Sequence, residues 1–300
     1  MKHTRFHSVL LAVSILFFTS LGLAKENAVK TRKINFGYPL GVFTNVNLKD
    51  AKLALEMLTK EMVERLSPNI IPITHIYANS EELLKDFRKR KLDMVVLSAL
   101  DYLQNKNTIK ISPALIRITN GSLGYQLDIL VHRRSAIQSI QQLKNRELVI
   151  PQNYEMGRII KLWLKSITSS GKNGRYHPIP IRIRYINKPS AAIFAVFFNQ
   201  TDACLVTHNS FKLAMELNPQ LGKDLVVLKH SPVFMSTFFA FRKDVPQDIK
   251  NLIIAKALKM QQDPTGRQIL KLFQTDYLIP CKPQYFETTR ELIQSTKNIR

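Results

Sequence analysis

Acidic residues are scarce in this chain. Its 300 residues carry 22 Asp and Glu against 44 Lys and Arg, for a formal net charge of +22 and a pI of about 10.0. The basic side chains are spread along the whole length, so the charge implies non-specific attraction to anionic surfaces rather than one polyanion site. The densest run, FRKRK (Phe87–Lys91), falls at the end of an expected helix and reads as a solvated face. There is no zinc-finger spacing and no aromatic RNA-binding strand, which speaks against a specific nucleic-acid partner. Cysteine is nearly absent too. Cys204 and Cys281 permit at most one disulfide, and Cys204 sits in an apolar run, ACLV, where an inert buried thiol is the plain expectation. Composition leaves their pairing open. No Cys or His spacing resembles a zinc site, and the seven histidines are scattered, so neither a metal nor a cofactor is expected. The chain lacks a G-x-S-x-G elbow, a P-loop, an H-E-x-x-H pair and paired carboxylates at catalytic spacing, so it is not expected to be an enzyme. There is no internal repeat and no low-complexity tract.

Long apolar runs are absent after the N-terminus. The first residues, MKHTRFH, are basic. An apolar run follows and ends in Gly22-Leu23-Ala24, with small residues where a signal peptidase cuts. Residues 1–24 therefore read as a cleavable signal peptide with a cut after Ala24, which places the mature chain in the periplasm. No Cys follows the run, which speaks against a lipid anchor. An uncleaved anchor is the rival reading.

What remains is an alternation of strand and helix. INFGYPLGVF is a strand opening into a loop, and a helix follows from about Lys49 to Leu66 with Asp50 as its cap. NIIPITHIYA is a second strand. Ser80 is placed as the cap of SEELLKDFRKR, and LDMVVLSA is a third strand. This βαβαβ order argues for a parallel sheet with right-handed crossovers. Extended chain from IKISPALIRIT through YQLDILV crosses to a second unit, punctuated by Asn120-Gly121 and Gly124. There SAIQSIQQL reads as a short helix capped by Ser135, and ELVI as a strand buried on both faces. Pro151 closes that strand, and NYEMGRIIKLWLKSI starts the next helix. SSGKNGRYHP is read as a loop and IPIRIRYI as a half-exposed strand. SAAIFAVFFNQ is a buried helix capped by Ser190, and TDACLVTHN is a strand ending in a polar tip. LVVLKHSPVFMSTFFAFRKDVP returns as extended chain, and helices are expected over 247–262, 265–275 and 282–296. The reading is an α/β chain of two lobes, each a mixed sheet flanked by helices. Residues 34–117 and 237–300 form one lobe, 125–228 the other, and 118–124 and 229–236 are two hinge crossovers.

Four segments in this order and spacing resemble the phosphonate/phosphite-type periplasmic substrate-binding proteins of ABC transporters, which have the type II binding-protein fold. They are INFGYPLGVF; ANSEELLKDFRKRKLDMVVLSALDYL; GSLGYQLDILVHRRSAIQSIQQLKNRELVIPQ; and SAAIFAVFFNQTDACLVTHN. The resemblance implies capture of a small solute between the lobes and its delivery to an ABC permease. A sensing module for a membrane partner, without transport, is the alternative. The resemblance also implies where ligand residues sit. Phosphonate binders present a Ser-Thr-Ser-Gly loop to the phosphonate oxygens; the matching positions are Tyr154, Glu155, Met156 and Gly157, and only the glycine is kept. Leu97 stands where the family places an aromatic, and Ser80 where it places a tyrosine.

A carboxylate at Glu155 would repel a phosphonate a few ångströms away by roughly 1 kcal/mol in water-like surroundings, and by more in a closed cleft. It would also compete for the helix N-terminal amides. The expected ligand is therefore a polar or amine-bearing solute rather than a simple phosphonate. Candidate contacts, all near strand ends, are Tyr38, Ser98, Tyr125, Asn153, Tyr154, Glu155, Thr207, His208 and Asn209. For several, a structural role is the simpler reading: hinge packing for Tyr38, capping for Ser98 and Asn153, a structural hydrogen bond for His208. Asp202, at the far end of its strand, is read as structural.

Overall fold

The structure is a computed structural model that describes residues 32–40, 48–63, 70–152, 156–172 and 175–297. The expected signal peptide lies outside the described residues. So do Asn153, Tyr154 and Glu155.

The first half is built from β1 (Arg32–Pro39), α1 (Leu48–Val63), β2 (Ile70–Tyr77), α2 (Ser80–Arg88), β3 (Met94–Ser98), α3 (Ala99–Asn105) and β4 (Ile111–Ile118). The chain then crosses through β5 (Gly124–Tyr125) into β6 (Leu127–His132), β7 (Glu147–Pro151), α4 (Gly157–Thr168), β8 (Ser169–Lys172), β9 (Arg175–Pro178) and β10 (Arg182–Ile186). It continues with α5 (Pro189–Phe197), β11 (Ala203–Thr207), α6 (His208–Leu217), α7 (Gln220–Asp224) and β12 (Leu225–His230). It returns through β13 (Phe234–Met235) to β14 (Thr237–Arg242), α8 (Gln247–Lys259), α9 (Pro264–Leu272), β15 (Tyr277–Pro280) and α10 (Glu287–Lys297).

These strands form two mixed sheets, one per lobe. The first runs β15-β4-β14-β3-β1-β2, with β2, β1 and β3 parallel and the rest antiparallel. The second runs β10-β7-β11-β6-β12, with β10, β7 and β11 parallel. Both sheets are covered on both faces, and the period of two in each strand divides its residues between two cores. Met94 and Val96 of β3 join one cluster with α1, α8 and α9, while Val95 and Leu97 join another with α2 and Phe238. In the second sheet Ile129, Leu148, Ile150 and Leu205 face α4 and its Trp163. Leu130, Val149, Cys204 and Val206 face α5 and α6.

Two segments join the lobes. Thr119 and Ser122 exchange backbone hydrogen bonds of 3.0 Å each across Asn120-Gly121, whose φ angles of 49° and 70° suit the Asn-Gly pair. The chain then enters β5, which pairs antiparallel with β13. Gly124 is required there, because a Cβ would lie 1.8 Å from the Phe234 carbonyl oxygen. The C-terminal helix, counted with the first lobe by chain order, packs on α4 of the second lobe and on α3. Leu292 of α10 and Leu100 of α3 share one apolar cluster with Trp163.

Several local expectations are corrected. Ser135–Leu143 is not a helix but an irregular segment ending in a 3-10 turn over Ile140–Leu143. Ile137, Ile140 and Leu143 are buried as that pattern requires, yet Gln142 folds back to accept from the Gln138 and Ser139 amides. Asn79 rather than Ser80 caps α2, accepting from the Glu82 amide at 2.9 Å. Asp50 lies in the first turn of α1 rather than before it. Lys188 stands at the N-cap of α5, with Pro189 and then Ser190 already helical, because proline pre-sets the first helical turn. Ser169–Lys172 and Arg175–Pro178, within the stretch read as a loop, pair as a short antiparallel ribbon, β8 with β9. Tyr277–Pro280, in the gap left between the two last expected helices, adds an edge strand to β4. Cys204 and Cys281 are both free, the first in the core of the second lobe and the second packed against the first lobe.

Candidate functional site

In each sheet the strand order reverses at one place, between β1 and β3 in the first lobe and between β7 and β11 in the second. Loops leaving the carboxyl ends of such strands diverge and open a crevice, the usual ligand position in open α/β sheets. Each of the four strands leads to a helix, β1 to α1, which opens at Leu48. β3 ends at Ser98 and starts α3; β7 ends at Pro151 and leads to α4, which opens at Gly157; β11 ends at Thr207 and starts α6. Helix starts present backbone N–H groups and a positive partial charge to whatever lies in front of them.

The predicted residues take the following places. Tyr38 is a core side chain rather than a cleft contact. It is 2% exposed and its hydroxyl is bonded to that of Thr59 at 3.1 Å, and burial pushes its phenol pKa well up. The reason is register: β1 is flanked by β2 and β3, and Tyr38 falls on the same face as Ile34 and Phe36. Ser98 is the N-cap of α3. Its hydroxyl accepts from the Asp101 amide at 3.0 Å and donates to the Asp101 carboxylate at 2.7 Å, so its one proton is already committed. Leu97 is fully buried on the opposite face. Tyr125 lies in the crossover, half-buried, with its ring 6.4 Å from that of Phe234. Thr207 caps α6, accepting from the Ser210 amide at 3.2 Å. Asn209 is exposed in the first turn of α6. His208 gives a structural hydrogen bond, with Nδ1 at 2.9 Å from the buried carboxylate of Asp128. Asp202 accepts from the Glu147 amide at 2.8 Å and pairs with Arg146, a structural tie at the far end of β7. The structure thus places Ser98, Thr207, His208 and Asn209 at strand ends, whereas the side chain of Tyr38, next to the end of β1, is turned into the core.

Three features had no signal in the sequence. Arg158, in the first turn of α4, bonds Asp101 and Gln104 of α3 and so ties the two lobes together beside the strand ends. Asp128, His208 and His230 meet although they lie on separate elements. A surface pocket of about 470 Å³ is lined by Trp163, Ser166, Lys229, Phe234, Glu291 and Leu292. It lies against the C-terminal half of α4, α10 and the second crossover, and among the described residues none of the strand-end candidates lines it. Only a tertiary arrangement assembles such groups, since no spacing rule links their positions.

No curated protein matches the chain in sequence. Solved structures do resemble it. XAC2383 from Xanthomonas citri bound to ATP superposes with a TM-score of 0.64 at 14% identity, over 89% of this chain and 98% of that one. PhnD1 from Prochlorococcus marinus in complex with methylphosphonate gives 0.60 at 16% identity, over 89% and 99%. A binding protein component of an ABC phosphonate transporter from Pseudomonas aeruginosa gives 0.58 at 15% identity, over 89% and 88%. At these identities the likeness carries the fold: two lobes of the periplasmic-binding-protein kind. Residues 40–286 match the family described as ABC transporter, phosphonate, periplasmic substrate-binding protein. A match over that length settles the family, and with it a solute-binding role: this chain is a member of the phosphonate-type periplasmic substrate-binding proteins of ABC transporters.

Proposed function

We propose that the chain binds a small polar solute, not a simple phosphonate, between its lobes and hands it to an ABC permease. The observation that carries this reading is the start of α4. The resemblance implies that phosphonate binders hold their ligand with a hydroxyl-rich loop at this position, and here the residues running into Gly157 are Tyr154, Glu155 and Met156. A hydroxyl-rich cradle has been replaced by a carboxylate and two bulky side chains, none of which donates to an oxyanion from its end except the tyrosine. A ligand with an amine, or a neutral polar ligand, is compatible with Glu155. Asn153, Tyr154, Thr207, Asn209 and Tyr125 are the proposed neighbours of that ligand. The 24 N-terminal residues are proposed to export the chain and to be cut after Ala24.

Native mass spectrometry of the protein from its own periplasm, followed by thermal-shift titration of whatever co-purifies, tests the reading. An amine-bearing or neutral solute supports it. A co-purified phosphonate or phosphate monoester refutes the ligand class, and the absence of any ligand-induced stabilisation across solute classes refutes the capture role.

A further inference from the structure

Positions 128, 208 and 230 are brought together by strand register. β6 lies between β11 and β12 and is antiparallel to both. Asp128, the second residue of β6, stands opposite Val206 on one side and His230 on the other. The second pairing depends on a bulge. β12 begins in step, with Leu225 opposite His132 and Val227 opposite Leu130, and unbroken counting would put Lys229 opposite Asp128. One extra residue between Val227 and Lys229 advances the strand, so that His230 takes that place. A bulge that re-aims one side chain is a recurrent device beside functional sites. His208 arrives from the other side, as the first residue of α6 directly after β11.

The Asp128 carboxylate is wholly buried, and each of its oxygens faces one imidazole nitrogen. Oδ2 lies 2.9 Å from Nδ1 of His208 and Oδ1 lies 2.7 Å from Nδ1 of His230. The two rings are 6.1 Å apart and inclined by 60°, and their side chains are 43% and 53% exposed. One candidate ligand atom from each residue lies within 4.8 Å of the other two. We propose that Asp128, His208 and His230 bind one divalent transition-metal cation of the zinc class. Two imidazoles and one carboxylate, with no thiolate, are a donor set that suits zinc, nickel or copper ions. Three protein ligands leave a coordination position open, and the exposed ring edges give the ion a way in from solvent.

The fit requires a local rearrangement. Metal–ligand distances of about 2.0–2.1 Å in a tetrahedron separate neighbouring donor atoms by about 3.4 Å, so each imidazole–carboxylate hydrogen bond opens by roughly half an ångström and the three donor atoms, now within 4.8 Å of one another, draw to that common spacing. The protons are accounted for simply. Each neutral imidazole that donates from Nδ1 shifts its proton to Nε2, toward solvent, and Nδ1 then offers its lone pair to the ion. The site lies where the second sheet meets the crossovers, since Asp128 is the second residue of β6 and His230 closes β12. His208 stands between Thr207 and Asn209, two proposed solute contacts, but the test below reads metal uptake alone, so a failure of the solute reading leaves the metal site standing.

The test is calorimetric titration of Zn²⁺ into the untagged chain after stripping with EDTA, with a His208→Gln/His230→Gln variant alongside. Glutamine keeps an N–H donor for Asp128 and so limits structural damage. One saturable site per chain is expected, weakened at least about tenfold in the variant, with Zn²⁺ raising the melting temperature of the native chain only. Nitrogen NMR of the imidazoles gives a reading that needs no variant: Nδ1 of His208 and His230 should shift on adding Zn²⁺. No saturable uptake, equal uptake by a folded variant, or unmoved Nδ1 resonances would overturn the proposal.

Discussion

Arg158, one residue into α4, is paired with Asp101, three residues past the end of β3, and the pair spans the two lobes. Asp101 is almost fully buried and also holds Ser98, whereas Arg158 is about half exposed. The pair forms only when the helix starts on either side of the crevice stand close together. Given the exposure of Arg158, its direct contribution to stability is about 1 kcal/mol or less. Its effect on lobe position should exceed that on unfolding. Arg158→Ala should enlarge the ligand-free radius of gyration in small-angle scattering while lowering the melting temperature only slightly. An unchanged radius would show that the pair does not hold the lobes together.

Gly124 is the tightest point of the crossover. A methyl group there meets the Phe234 carbonyl oxygen and the Met235 Cα, both backbone atoms that cannot swing aside. Gly124→Ala should therefore separate β5 from β13 and cost about 1–3 kcal/mol, in line with other overpacking changes. Urea unfolding would register this as a lower midpoint. An unchanged midpoint would contradict the pairing described.

The C-terminal helix is held to the second lobe by apolar contact. Leu292 is 6% exposed and packs in the cluster of Trp163 and Leu100. Leu292→Ala should destabilise the protein by about 2–5 kcal/mol. Limited proteolysis should then cut within 287–297 before it cuts elsewhere. If α10 stays resistant, its docking rests on something other than this contact.

The cysteines should behave as unreactive thiols. Burial pushes the Cys204 thiol far up and that of Cys281 to about 12, so at neutral pH neither supplies the nucleophilic thiolate. Alkylation followed by mass spectrometry should leave both unmodified in the native protein and modify both after denaturation without reductant. A bridged pair in that second sample would refute the free-thiol assignment.

How much of this could be read in advance follows from the reach of each interaction. The strands announced themselves as short apolar runs: ELVI and ACLV are buried on two faces, and YQLDILV and LDMVVLS split their residues between two cores. Their order was enough for the fold. Local capping was less legible because neighbours compete, Asn79 against Ser80 and Pro189 against Ser190, and the winner depends on where the preceding strand or loop delivers the chain. The apolar spacing of Ile137, Ile140 and Leu143 fits a helix or a folded-back segment equally well, since both bury the same three side chains. The helix SFKLAMEL went unread because its outward face carries Leu213 and Leu217, which blur the stripe. The site was hardest. Arg158 with Asp101, and Asp128 with two histidines, are contacts between distant segments, and one of them hangs on a single-residue bulge.

The most direct test of the central claim is calorimetric titration of methylphosphonate into the native chain and into Glu155→Gln. Charge repulsion of roughly 1 kcal/mol or more predicts weak binding to the native chain and about fivefold or more tighter binding to the glutamine variant. Tight binding of equal strength in both proteins would contradict the account.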